Sequence, residues 1–222
     1  MKFLQRLSVL LGCAALGLLL AMTLLDLPLP QVRLSEQVHR QLHASGVDHP
    51  VTAVLLNFRG YDTLLEIAVL FLALLGVLLV RDEPSTGYRI GGSAPLLLQL
   101  MAKLTAPMMI LVAGYLLWAG AYRPGGAFQS GAVLASGMVL LYLSCILPAW
   151  ASLTLTLRIG TTIGFLIFLG VAAAMLSHGM LLQYPPSSAS TLILLIETGL
   201  TVSLGLILAG LFLWQPNEED DA

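Results

Sequence analysis

The sequence predicts an all-α integral membrane protein with about six transmembrane helices, both termini cytoplasmic, and a short interfacial helix. Composition is the first observation: of 222 residues, 58% are hydrophobic and 10% charged, against roughly 25% charged in soluble domains. The second is run length. The apolar stretches come near the ~20 residues that a helix needs to cross a ~30 Å hydrocarbon core, and the alternating ~10-residue segments of a barrel are missing. The third is the placing of cations. With the N-terminus inside, Lys2, Arg6, Arg81, Arg89, Lys103 and Arg158 share one side. Arg33, Arg40 and Arg123 share the other, and Arg59 is unassigned. Spans use up most of the chain, which leaves no room for a separate soluble catalytic domain. The net charge is −2, the tail 218–221 is acidic, and no basic face of the kind that nucleic acid requires is present.

The first span is expected over 7–25 and ends at Pro28 and Pro30. Leu10-Leu11-Gly12-Cys13 looks like a lipoprotein box, but its apolar core continues to Leu25 beyond the cysteine, so the span reads as uncleaved. Residues 31–46 place Leu34, Val38 and Leu42 on one face and Arg33, Glu36, Arg40 and His43 around the rest, a helix lying in the interface and capped by Gly46. His39, His43 and His49 read as solvated interfacial histidines in preference to a metal site. The second span is expected over 62–80, with 51–58 partly embedded, and the polar stretch 81–92 follows. Further spans are expected over 104–121, 128–147, 155–176 and 191–214. Cys13 and Cys145 fall inside spans as apolar side chains, with no metal or disulfide spacing. No haem or iron–sulfur ligand spacing occurs, so no cofactor is expected. Small residues (Gly131, Ala135, Ser136, Gly160, Gly164, and Gly170 to Ala174) offer faces for close packing against other membrane helices, including those of other chains.

Charged groups at membrane depth cost roughly 2.5–3.5 kcal/mol each on insertion scales, so they mark functional interiors. The stretch 51–80 carries Arg59, Asp62 and Glu66 at i, i+3 and i+7, one face of a continuous helix and a plausible ion or proton relay. The other reading has Gly60 break the helix. Asp62 is then an ordinary N-cap for a span starting at Thr63, and Glu66 lies one turn deep. Glu197 lies deeper, among Thr191, Thr198, Thr201 and Ser203. It is either protonated or paired with a cation from elsewhere, as a carboxyl for ion transfer or as hydrogen-bonded glue between helices. The loop Arg123-Pro124-Gly125-Gly126-Ala127-Phe128-Gln129-Ser130-Gly131 puts Pro124 in the first turn of the fourth span, and that span's first amides face an anion, a partner carbonyl or a tight turn. Lys103, just before the third span, and His178, at the end of the fifth, are weaker relay candidates and stronger boundary anchors.

Two motifs together resemble known families. NFRGYDTLLEIAVL at 57–70 resembles the signature of the MbhE-type domain, with Arg59, Asp62, Thr63 and Glu66 matching. PGGAFQSG at 124–131 resembles the PGGGFQGG signature of the MnhB/MrpB family, which serves in multisubunit Na+/H+ antiporters; LASGMVLLYLS and IETGL are similar to it as well. The resemblance implies a fusion: an MbhE-like two-span part at 1–88, a linker at 89–95, a four-span MrpB-like part at 96–214 and an acidic tail at 215–222. It departs from the pattern at Ala127, Ser130, Asn57 and the Ala121-Tyr122-Arg123 run, and carries Glu197 where Asp is usual.

What the resemblance implies is a subunit of a monovalent cation (Na+)/proton antiporter in a prokaryotic cell (inner or plasma) membrane. Its partners would be other antiporter subunits, including complex I-like ones, with Na+ and H+ as the ions moved and lipid around it. Asp62, Glu66 and Glu197 would be transient ion sites, with Arg59 keeping its neighbours ionised. Pro124, Gly125, Gly126, Phe128, Gln129 and Gly131 would form the motif loop. A second expectation is a non-translocating structural subunit of an antiporter, a membrane-bound hydrogenase or a complex I-like assembly. A third is a redox-linked hydrogenase-type subunit whose redox centres lie on its partners.

Overall fold

A computed structural model describes residues 2–26, 33–80, 94–147, 154–177, 179 and 181–214, all of them helix or connecting turn. The proline pair at 28 and 30, the polar stretch 81–93 and the tail 215–222 lie outside the described residues. The chain divides into two units, 1–37 and 38–222.

In the first unit, α1 runs Lys2–Leu25. It is apolar on every face, and all its described side chains are exposed, up to 85% at Leu25. A helix apolar all round belongs in a core or a membrane. The one hydroxyl near its end, Thr23, bonds back to the carbonyls of Leu19 and Leu20, which is how such a group is satisfied without water.

α2 (Leu34–Ser45) begins in the first unit and ends in the second. Gly46 follows it at φ +70°, the left-handed cap expected from the sequence. A Cβ at Gly46 would collide with the Pro186 carbonyl oxygen, so only glycine lets these two turns meet.

The second unit then contains α3 (Pro50–Thr52), a π-helical turn (Ala53–Phe58), α4 (Gly60–Val80), α5 (Leu96–Ala119), α6 (Ala127–Leu143), α7 (Leu155–Leu176) and α8 (Ala189–Leu213). The last of these is the central element. It packs along α6 and α7, meets α4 and touches α5, and Ile196, Leu200, Leu204 and Ile207 on it are wholly buried. Glycines and hydroxyls set its separation from its neighbours. A Cβ at Gly164 of α7 would stand 2.5 Å from the Gly199 carbonyl oxygen of α8. Ser203 Oγ accepts from the Gly164 N–H at 2.8 Å and donates to the Gly160 carbonyl at 2.8 Å. On the other side, Gly131 of α6 meets Leu204, and the hydroxyls of Ser130 and Thr201 lie 2.7 Å apart. Several of the small residues expected to receive other chains are therefore used inside this one.

Among the described residues, four helical stretches are long and apolar enough to cross a membrane: Gly60–Leu79, Leu96–Ala119, Leu155–Leu176 and Ala189–Leu213. The first and fourth expected spans correspond to shorter apolar helices, Leu10–Leu25 and Ala127–Leu143. The fourth stops four residues before its expected end. Cys145 has turned to φ +57°, out of the helical region and past the span it was assigned to. At ~1.5 Å per residue the 17 residues of α6 reach about 26 Å. The third span starts earlier than expected, at Leu96 after Pro95, so Lys103 sits inside α5 and not ahead of it. Pro124 precedes α6 by three residues and lies outside its first turn.

Gly164→Val puts two methyl groups where the Gly199 carbonyl stands. The expected cost is about 1–3 kcal/mol of overpacking, read as a lower Tm of the detergent-solubilised protein. Gly170→Ala, with nothing within 4 Å of the new carbon, leaves Tm unchanged.

Candidate functional site

Glu197 stands eight residues into α8, about 12 Å along the helix, and is only 7% exposed. A buried carboxylate needs hydrogen-bond donors. The backbone amide that faces it is the first of α6, that of Ala127. Free amides at a helix start and the positive end of the helix dipole both favour an anion at this place.

The two motif glycines make the approach possible. Gly126 is the N-cap of α6, at φ +106° and ψ −171°, a conformation open in practice only to glycine. A Cβ on it would stand 2.6 Å from Glu197 Oε1. Its N–H donates to the Leu116 carbonyl of α5 at 2.9 Å, while a Cβ on Gly125 would collide with that same oxygen. The loop thus threads between the end of α5 and the carboxylate of α8. Thr52 fastens the α3 side by donating to the Gly120 carbonyl at 2.6 Å.

The region around Arg59 matches neither sequence reading in full. The helix is broken, so the continuous face through 59, 62 and 66 does not form. The break is at Arg59 (φ −126°, ψ 32°), between the π-helical turn and α4. Asp62 is not an N-cap but the third residue of α4. Arg59 Nε donates to Asp62 Oδ2 at 2.6 Å, and both side chains are more than half exposed. Thr63 is buried and donates to the Leu55 carbonyl at 2.6 Å, stitching the two helical pieces together across the break. Asn57, at the position where the family signature often has Asp, donates to the Ser45 carbonyl at 2.8 Å, a bond a carboxylate has no proton to make.

A cavity of about 350 Å³ opens between these parts. Glu66 and Glu197 line it, with Gly125, Phe128 and Gln129 of the motif loop. His49, Thr52 and Thr63 complete its polar wall. Of the sequence candidates, then, Glu66, Glu197 and part of the loop come together. Arg59 and Asp62 pair with each other and do not line the cavity; Gly131 serves helix packing instead, and Lys103 is exposed on α5. His178 lies outside the described residues. His49, read from the sequence as solvated, also lines the cavity: it is partly exposed, while its Nδ1 is sealed from solvent and has no partner among the described residues. The available signal was Gly46, which ends α2 and turns His49 away from the face of His39 and His43. No group of three or more His, Cys, Asp or Glu suited to a metal ion occurs among the described residues.

Gly126→Ala combines a forbidden φ with a carbon against the carboxylate, so it displaces either the loop or Glu197. The expected loss is about 1–3 kcal/mol, visible as a Tm drop larger than that of Gly170→Ala.

Known proteins resemble this chain in sequence and in fold. Residues 97–213 match the family model described as a domain related to the MnhB subunit of Na+/H+ antiporter. A curated relative from Rhizobium meliloti (strain 1021), a probable K(+)/H(+) antiporter protein named as its combined A/B component, is 35% identical over 88 residues. That is 39% of this chain and 9% of the relative, so the chain matches about a tenth of its length. Among solved structures, a chain of the membrane-bound sulfane sulfur reductase (MBS), an archaeal respiratory membrane complex, superposes with TM-score 0.72 at 22% identity, over 95% of this chain and 97% of that one. A chain of the Mrp complex from Dietzia sp. DQ12-45-1b gives TM-score 0.71 at 21% identity, over 97% of this chain and 27% of that one. At such identities the likeness is one of fold. The match and the apolar helices make this a multi-pass protein of a prokaryotic membrane. With nearly all of α5 to α8 and more than half of its residues matched, the chain belongs to the family of domains related to the MnhB subunit of Na+/H+ antiporters.

Proposed function

We propose that this chain is a subunit of a multisubunit monovalent cation/proton antiporter, and that it contributes carboxylates to the path of an ion or proton. The observation that carries the reading is the convergence of Glu66 from α4 and Glu197 from α8 on one cavity. Carboxyls at membrane depth facing a protein-lined space are characteristic of such paths. Sodium is the cation favoured by the family's name, and the relative named for potassium is the competing choice. Partner subunits, complex I-like ones among them, would complete the path. Arg59 and Asp62, exposed on this chain, are then groups for such a partner to cover. The six-span arrangement with both termini cytoplasmic, and the MbhE-like character of residues 1–88, belong to this same proposal.

The close approach of Glu197 to the start of α6 favours a second reading, in which the carboxyl only ties α8 to the α6 N-terminus of a structural subunit. The two readings part in one experiment: sodium-dependent proton exchange in everted vesicles carrying the whole complex, with assembly checked by native gel. Glu197→Gln and Glu66→Gln should assemble and lose exchange to about a tenth or less of wild type, the scale of losing a required proton carrier. Normal exchange in an assembled Glu197→Gln complex would leave the chain as scaffold.

A further inference from the structure

We infer that Tyr115, Trp118, Tyr122 and Arg123 form a belt lying in the lipid headgroup layer, and that this belt fixes the Glu66–Glu197 cavity at the rim of the bilayer. That the cavity is then the mouth of an ion path rests on the antiporter reading above; the belt itself does not.

Leu104, Met108, Leu111, Tyr115 and Trp118 recur every three or four residues, so they share one face of α5. Tyr122 continues the series in the turn that follows, and all six are more than half exposed. The face changes chemistry along its length, aliphatic first and aromatic at the end. Its rings form a ladder, Tyr115 to Trp118 at 6.3 Å between centroids and Trp118 to Tyr122 at 5.8 Å. Arg123, also exposed, comes next. An apolar ring with a polar N–H or O–H suits the level where hydrocarbon gives way to headgroups, and a guanidinium there meets phosphate. A second membrane helix fits this face less well. Helices associate in lipid through small residues, and the series contains none.

The other end of α5 supplies the thickness. Lys103 is exposed, and a helical Cβ tilts toward the N-terminus, so its stem reaches back toward the helix start and the nearer interface. From Lys103 to Trp118 is roughly 22 Å along the axis. The lysine stem extends that toward the ~30 Å of a hydrocarbon core.

The cavity is tied to the level of the belt. The Leu116 carbonyl accepts from the Gly126 N–H, and a Cβ on Gly126 would stand 2.6 Å from Glu197 Oε1. Thr52, in the cavity wall, donates to the Gly120 carbonyl. The carboxyl therefore lies beside the last turn of α5, the turn that carries Trp118. Glu197 is about 12 Å into α8, but the turns before it are wrapped by irregular backbone. Gly46 packs on Pro186 and Ala189, and Val47, Leu182 and Tyr184 share a buried cluster with Ile193. Irregular backbone does not face hydrocarbon, so the start of α8 belongs outside it. An ion would enter the cavity from water of the headgroup layer, with most of the bilayer still to cross.

The test uses the assembled complex in membrane vesicles, with this chain carrying Cys13→Ser, Cys145→Ser and one new cysteine. A membrane-impermeant maleimide, which needs a hydrated thiolate, is offered from each face in turn, and labelling is read on this chain alone by gel shift. Tyr122→Cys and Gln129→Cys, the latter in the cavity wall, should label from the same face. Both should react at least about tenfold faster than Met108→Cys and Leu111→Cys. Equal labelling at 111 and 122, or protection of 122 and 129 alike, overturns the placement. A photoreactive benzoylphenylalanine in place of Trp118 supplies a second measurement. It should join to phospholipid, read as the added mass of a lipid, whereas cross-linking to another protein chain overturns the belt. If Tyr122→Cys does not assemble, Gln129→Cys and the photoreactive residue decide. Neither readout depends on ion exchange, so normal exchange by Glu197→Gln would sink the antiporter path and leave the belt standing.

Discussion

A carboxyl buried on the most deeply covered of the four long apolar helices must be met by a polar group, and the loop before α6 is shaped so that its first amide can face Glu197. For Ala127 to be that amide, α6 has to begin there, which requires Gly126 in a conformation that other residues avoid. For Gly126 to reach the carboxylate, the preceding loop has to pass over the end of α5 with almost no clearance, hence Gly120 and Gly125. For α6 to stand close enough to α8, Gly131 has to admit Leu204, and the Ser130 and Thr201 hydroxyls have to face each other. Gly120, Gly125 and Gly126 are thus small for a reason traceable to one carboxyl and the loop that reaches it. Leaving a buried carboxyl without a polar partner would cost more than a single ordinary hydrogen bond returns.

The cavity lies across a seam in the sequence. Glu197 and the motif loop belong to the part that matches the family model, whereas His49, Thr63 and Glu66 precede it. Neither part builds the polar wall alone. The two are held in register by contacts across the seam: Thr52 to the Gly120 carbonyl, and Gly46 against Pro186. Such contacts hold the polar wall together without lining up along any one helix.

What could be read from sequence was whatever depended on local pattern. Glu197 stood out because its neighbours are apolar or hydroxylic, and the glycine pair before α6 announced a helix start able to face an anion. The carboxylate and the glycines were both visible, but nothing local says that they meet. The break near Arg59 was readable only as one of two alternatives, since a π turn has no composition of its own. The start of α5 was placed too late because Gln99 and Lys103 lower its hydropathy, yet no helix breaker separates them from the apolar run. His49 was taken for a sibling of His39 and His43 by spacing. Spacing stops meaning anything past Gly46, where the chain changes direction. The small-residue faces were recognised, but only the tertiary fold says whose helix fills them.

The π turn at 53–58 carries one more consequence. Such a turn is an extra residue wound into an otherwise α-helical course, and in an α-helix one residue corresponds to about 100° of rotation about the axis. The segment before it and the segment after it are therefore phased against each other by that surplus. Removing a single residue there would turn Thr52 about the axis relative to Phe58, while the apolar character of the stretch stayed the same. Hydropathy would tolerate the change in length, but the orientation of the polar wall would not. The length of the turn thus sets the direction in which Thr52 faces the Gly120 carbonyl.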